Sequence, residues 1–165
     1  MIMRKYTSTL SYILCIILLN ALFVKLPGFH PFGDTFSAAD IIVGAIYIVR
    51  DFAQREIGHY ILLAMAVGTA ISYALSDPTI AIASAGAFAI GELCDWTLFT
   101  ITKKPLSQRL LISSLVSIPI DSWVFLALAN RFNIISMSLM LLGKTLGVLA
   151  LWWLWRARQN NEQAN

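Results

Sequence analysis

Asp51, Glu92, Asp95, Asp121 and Lys144 stand inside stretches of sequence that are otherwise apolar enough to span a bilayer. An Asp or Lys at the centre of a membrane helix costs roughly 2.5 to 3.5 kcal/mol on translocon scales, so several of them on separate segments point to a shared polar interior. Counting Arg50 and Lys144 against Asp51, Glu92, Asp95 and Asp121 gives two positive against four negative groups. Mutual neutralisation leaves carboxylates over, and those either hold a proton or meet hydrogen-bond donors from a ligand. Lys144 could also serve simply as the structural counter-ion of Asp121 or Glu92, and Arg50 could reach to lipid headgroups instead.

Other reactive residue types are sparse. Cys15 and Cys94 lie on different apolar segments without metal-ligand spacing, and His30 and His59 fall near opposite ends of theirs. There is no phosphate loop, zinc motif or Ser-His-Asp set at plausible depth, so no catalytic residues, cofactor or metal are expected.

Composition fixes the class of molecule that must position the charges. Of 165 residues 58% are hydrophobic and 13% charged, against roughly 25% charged in a soluble domain. The reading is an all-α integral membrane protein, residues 1–165 forming a single transmembrane domain. The net charge of +3 does not mark a nucleic-acid binder, because the basic residues flank apolar segments and form no patch.

A hydrocarbon core about 30 Å thick needs roughly 20 helical residues. Six segments are expected: Thr7 to Leu26, Ser37 to about Gly58, Ile57 to Leu75, Thr79 to Thr100, Leu110 to Ala129 and Ile134 to Trp155. Ser37 and Asp40 read as a capping box at the start of the second, and the second and third could be one bent element. The first segment follows Arg4 and Lys5 as a signal peptide would, but it is too long and lacks a small-residue cleavage site, so it is retained as a helix. With a cytoplasmic N-terminus, the inner side holds Arg4, Lys5, Arg50, Arg55, Lys103, Lys104, Arg109, Arg156 and Arg158, and the outer side Lys25 and Arg131. This nine-to-two split predicts that both termini are cytoplasmic. Trp152, Trp153 and Trp155 read as an interfacial belt.

Helical geometry then gathers the polar residues. On the fourth segment Ala81, Ala85, Phe88, Glu92, Asp95 and Phe99 lie within about 60° of one another. The second carries Asp40, Gly44, Tyr47, Asp51, Gln54 and Gly58 on one face; the fifth carries Ser114, Ser117, Asp121 and Phe125, with Pro119 beside the stripe freeing the Leu115 carbonyl. The sixth aligns Asn133, Met137, Met140, Lys144 and Gly147, and Gly143 with Gly147 forms a small-xxx-small pair suited to close helix approach. By depth, Asp121 and Lys144 fall near mid-membrane and Arg50, Asp51, Glu92 and Asp95 nearer the cytoplasmic side.

Several of these stretches resemble a known family. Arg50-Asp51-Phe52-Ala53-Gln54-Arg55, Gly91-Glu92-Leu93-Cys94-Asp95-Trp96-Thr97-Leu98-Phe99, Ser113-Ser114 followed by Asp121-Ser122-Trp123-Val124-Phe125, and Gly143-Lys144 together resemble the VUT family over about residues 37–150. Its members are described as queuosine-precursor transporters. The resemblance implies a six-helix, multi-pass importer of the cell inner membrane, and not an enzyme. Its substrate would be a small molecule, the deazapurine base 7-cyano-7-deazaguanine or 7-aminomethyl-7-deazaguanine, used in tRNA modification. The expected substrate-binding residues are Asp51, Gln54, Phe88, Glu92, Asp95, Phe99, Ser117, Asp121 and Lys144, with Glu92 or Asp95 accepting the paired N–H donors of a guanine-like edge and an aromatic ring, Phe88, Phe99 or Trp96, stacking on its plane. Partners are then the solute and the lipid bilayer, with no nucleic acid; a homo-oligomer is compatible with these features. Three other readings compete: a substrate-capturing subunit that works with a separate ATP-driven module, an intramembrane enzyme using Asp95 and Asp121 as a pair, and a purely structural subunit, against which the excess acid argues.

Overall fold

The chain was analysed as a computed structural model that describes residues 6–25, 39–76 and 81–164. Its described residues form six α-helices: α1 (Thr7–Lys25), α2 (Ala39–Ile57), α3 (Ile61–Leu75), α4 (Ala81–Ile101), α5 (Leu106–Leu128) and α6 (Ile134–Ala164), with a 3-10 turn at Gly58–Tyr60 between α2 and α3. Ser37 lies outside the described residues, as do Leu26 and Thr79, the expected end of the first segment and start of the fourth.

Four helical stretches are long and apolar enough to cross a bilayer: Asp40–Leu75, Ala81–Ile101, Leu106–Leu128 and Ile134–Gln159, while α1 over Thr7–Leu22 is apolar but shorter. The molecule is thus a multi-pass, all-α membrane bundle. Leu10, Leu63, Ile82, Leu93, Ile112 and Leu142 are exposed, whereas Asp40, Arg50, Asp51, Glu92, Asp95, Asp121 and Lys144 are buried. That inversion suits a lipid solvent, which gives apolar side chains no reason to hide.

The Asp40–Leu75 stretch is not one straight helix. Ser8 and Thr9, opening α1, donate their backbone N–H groups to Glu56 at the end of α2, whereas Asn20, further along α1, meets Ser76 just past α3. α2 and α3 therefore run in opposite directions, and the chain reverses at Gly58, whose φ of +60° lies in the left-handed region that glycine enters without penalty. The other connections reverse as well. Ser72 meets Ser84, Arg109 reaches the Phe99 carbonyl, and the Trp152 indole donates to Ser107 O. The helices alternate in direction, so α1 begins and α6 ends on the same side of the bundle.

Packing closes a ring in the order α1, α3, α4, α5, α6, α2 and back to α1. α2 and α6 run side by side in the same direction and almost touch. A Cβ on Gly44 would fall on the Lys144 carbonyl, and one on Gly147 would fall on the Ile41 carbonyl. The close-approach role expected of Gly143 and Gly147 thus involves Gly147, with Gly44 supplying the other half.

Some local expectations need correction. α5 starts four residues before Leu110 and α6 continues nine past Trp155. Pro119 does not break α5, and it lies with Leu115 on the exposed side, away from the buried polar stripe. The missing N–H is therefore accommodated on the lipid side, and no opened backbone faces the interior. Of the three tryptophans only Trp153 points outward; Trp152 is hydrogen-bonded to α5, and Trp155 packs on Phe52 with ring centroids 5.6 Å apart.

Candidate functional site

The interior charges other than Asp40 resolve into two clusters on different levels. The first is built around Arg50, fully buried on α2. Its guanidinium pairs with Asp51 at 2.9 Å, with Glu92 at 3.3 Å and, most closely, with Asp95. It also donates to Gln54 Oε1 at 2.6 Å, and Gln54 passes the link to Thr100 at 3.0 Å. Arg50 is therefore no headgroup-seeking cation. Glu92 and Asp95 are three residues apart on one face of α4, so both meet the same guanidinium, and the planar fork of five donors suits several carboxylates at once. Two hydroxyls complete the shell: Tyr12 of α1 donates to Glu92 at 3.0 Å, and Ser113 of α5 donates to Asp51 at 3.1 Å.

The second cluster pairs Lys144 of α6 with Asp121 of α5, and Lys144 also donates to Ser122 at 3.1 Å. This was one of the two counter-ion arrangements the sequence left open for Lys144. The Tyr47 hydroxyl of α2 and Asp121 both press on the bare Cα of Gly91, where an added Cβ would meet them at 2.6 and 2.7 Å. Gly91 thus lets α2, α4 and α5 converge beside the carboxylate.

Above these clusters, a cavity of about 270 Å³ occupies the half of the bundle where α1, α3 and α5 end and α2, α4 and α6 begin. Its polar base is Tyr47, Glu92, Asp121 and Lys144. Phe88 and Phe125 supply aromatic walls; Ile16, Val43 and Met140 supply aliphatic ones. Asn20, Asp40, Ser84 and Arg131 add polar groups farther up. The volume lies just under the roughly 300 to 1,000 Å³ of drug-sized sites, and a mostly apolar lining with a few convergent polar groups is the usual form of a small-molecule site.

The expected site residues divide accordingly. Phe88, Glu92, Asp121 and Lys144 line the cavity. Asp51, Gln54, Asp95, Phe99 and Ser117 do not; all are buried, the first three in the Arg50 cluster. Phe99 lies under Arg109, 4.0 Å from guanidinium carbon to ring centroid, and so cannot stack on a solute in the cavity. Trp96, the third stacking candidate, meets His59 edge-on outside the cavity. Asp95 and Asp121 sit in separate ion pairs, on Arg50 and Lys144 respectively. Glu92 alone belongs both to the Arg50 cluster and to the cavity lining.

Tyr12, Asn20, Ser84 and Arg131 contribute to the site although the sequence reading placed none of them on an inward polar face. Tyr12 carried a signal, since a tyrosine in the middle of an apolar first helix must place its hydroxyl somewhere. Arg131 carried the opposite one, because it read as a loop charge. Compared with family models, curated proteins and solved structures, the chain finds no match in any of the three.

Proposed function

We propose that this protein is a transporter that takes a small, flat, hydrogen-bonding solute into the cell, and that the solute is a 7-deazaguanine base of the queuosine-precursor type. The observation that carries the reading is the cavity within a ring of membrane helices, floored by Glu92, Asp121 and Lys144 and walled by Phe88. A guanine-like edge has two adjacent N–H donors that the Glu92 carboxylate accepts side by side, its carbonyl oxygen suits the Lys144 ammonium, and its ring plane suits Phe88. The resemblance of the charged stretches to the VUT family supports the choice of base.

In this reading all six helices cross the inner membrane and both termini are cytoplasmic. Burial of Arg50 removes one charge from the inner count and leaves eight against two, so the positive-inside argument stands without it. The cavity then occupies the outer half of the bundle, where an importer receives its solute. The test is uptake of labelled 7-cyano-7-deazaguanine and 7-aminomethyl-7-deazaguanine by cells that lack their own precursor synthesis, with and without this chain. Uptake that depends on the chain is the expected result, and equal uptake in both strains overturns the choice of solute.

A further inference from the structure

The Arg50 cluster holds more acid than one guanidinium can neutralise. Asp51, Glu92 and Asp95 share it, all three buried, and among the described residues no other cation pairs with them: Lys144, the other buried cation, is held on Asp121. With all groups ionised the cluster would carry two uncompensated negative charges in a low-dielectric interior, an arrangement that costs several kcal/mol per ion. Asp51 and Asp95 moreover meet the two adjacent terminal nitrogens of that guanidinium, Nη1 and Nη2, so two carboxylates stand side by side on one positive charge. Asp51 Oδ1 and Asp95 Oδ2 have Arg50 as their ion-pair partner and no further hydrogen bond, while Asp95 Oδ1 has neither a hydrogen-bond nor an ion-pair partner. Ser117, one turn beyond Ser113 on the same face of α5 and fully buried, also has an unpartnered hydroxyl.

We propose that the Arg50 cluster is a proton-binding site in which one exchangeable proton is shared between the carboxylates of Asp51 and Asp95. The step is a proton transfer alone: an O–H bond of a hydronium ion breaks as one forms on a carboxylate oxygen of the pair, water leaves, and nothing is oxidised or reduced. The groups that set its balance come from each neighbouring helix. They are Tyr12 on α1, Arg50 and Gln54 on α2, Glu92 on α4, Ser113 on α5 and, one level higher, Asp121 with Lys144. α3 contains no charged residue. Glu92 is the route to the cavity, since it touches Arg50 on one side and lines the cavity on the other.

This placement has a consequence for transport that rests on the importer reading. With a proton on the aspartate pair, Arg50 remains available to keep Glu92 ionised and able to accept N–H donors. When the aspartate pair is bare, like-charge repulsion favours moving a proton onto Glu92, which then loses an acceptor. Solute and proton therefore bind together, as a symporter requires.

Infrared spectroscopy of the protein reconstituted in lipid tests the site without any solute. The wild type should show a carboxylic-acid C=O band that shifts down in heavy water, fades as pH is raised and is lost in Asp95→Asn. Should that variant fail to insert, Ser113→Ala keeps both carboxyls while removing a hydroxyl from the cluster, and should move the same band. The absence of the band, or a band unchanged in every variant that inserts, overturns the proposal. A second arm uses proteoliposomes with an acid exterior and labelled 7-cyano-7-deazaguanine: accumulation above the external level, abolished by a protonophore, is expected, and Asp95→Asn should lose it. If the band behaves as stated but the base does not enter, the importer reading fails and the proton site stands. If the base equilibrates regardless of the gradient and the band is missing, the proton site fails and the importer reading stands.

Discussion

Two buried cations organise the interior, and they differ in kind. Lys144 is a point charge facing essentially one carboxylate, and Arg50 a planar fork serving three. Removing one member of a buried pair leaves an uncompensated charge and costs about 3 to 5 kcal/mol. Lys144→Met should therefore lower stability by that amount in detergent-phase unfolding, and adding Asp121→Leu should restore most of it, because an apolar pair of similar volume replaces the ions. Failure of the double variant to recover would mean that Asp121 has partners beyond Lys144. Tyr12→Phe removes a single hydrogen bond to a carboxylate, Glu92, and should cost about 1.5 to 3 kcal/mol in the same measurement. At this scale the sequence was informative about which residues are polar and inward, since Glu92, Asp95 and Asp121 all fall on the expected helical faces. It was silent on reach. Arg50 sits where a long side chain could as well extend to headgroups as fold inward, and only the position of α4 across the ring from α2 decides it.

Among the elements, two glycines make opposite predictions. Gly44 has no room for a side chain, because a Cβ would overlap the Lys144 backbone. Gly44→Ala must push α2 from α6 and with them Tyr47 from the base of the cavity. Gly58 has open space around it but a φ of +60°, so Gly58→Ala should cost only the left-handed penalty of about 1 to 2 kcal/mol. Thermal unfolding of both variants, with the larger loss expected at Gly44, checks this; the reverse order would contradict the close α2–α6 contact. Helix existence and rough limits were legible from apolar run length, with α3 ending at Leu75 as expected and α1 starting at Thr7. Pro119 was misread because a missing hydrogen bond in a helix does not say which side of the bundle it faces. Phe99 was misread for a related reason: it shares the stripe of Glu92, but two turns farther along, at a level that Arg109 covers.

The whole molecule is a closed ring of alternating helices around a stratified interior, a cavity above Glu92 and a sealed charge cluster beneath it. Alternation and the flanking charges were readable in sequence; the order of helices around the ring was not, because periodicity shows which face turns inward but not what it meets. Sidedness is open to direct test. Cysteine introduced at Lys104 should react with impermeant reagent only from the inside, and cysteine at Arg131 only from the outside; the opposite pattern would contradict the proposed orientation. The central claim, that Glu92 receives the solute, is tested most directly by binding and uptake of labelled 7-cyano-7-deazaguanine by the Glu92→Gln variant in proteoliposomes. Glutamine keeps the size but replaces one acceptor oxygen by a donor, losing a charge-assisted hydrogen bond worth about 1.5 to 3 kcal/mol. Binding and uptake at least about tenfold weaker than wild type are predicted, with the variant still folded and inserted; unimpaired binding by that variant would contradict the account.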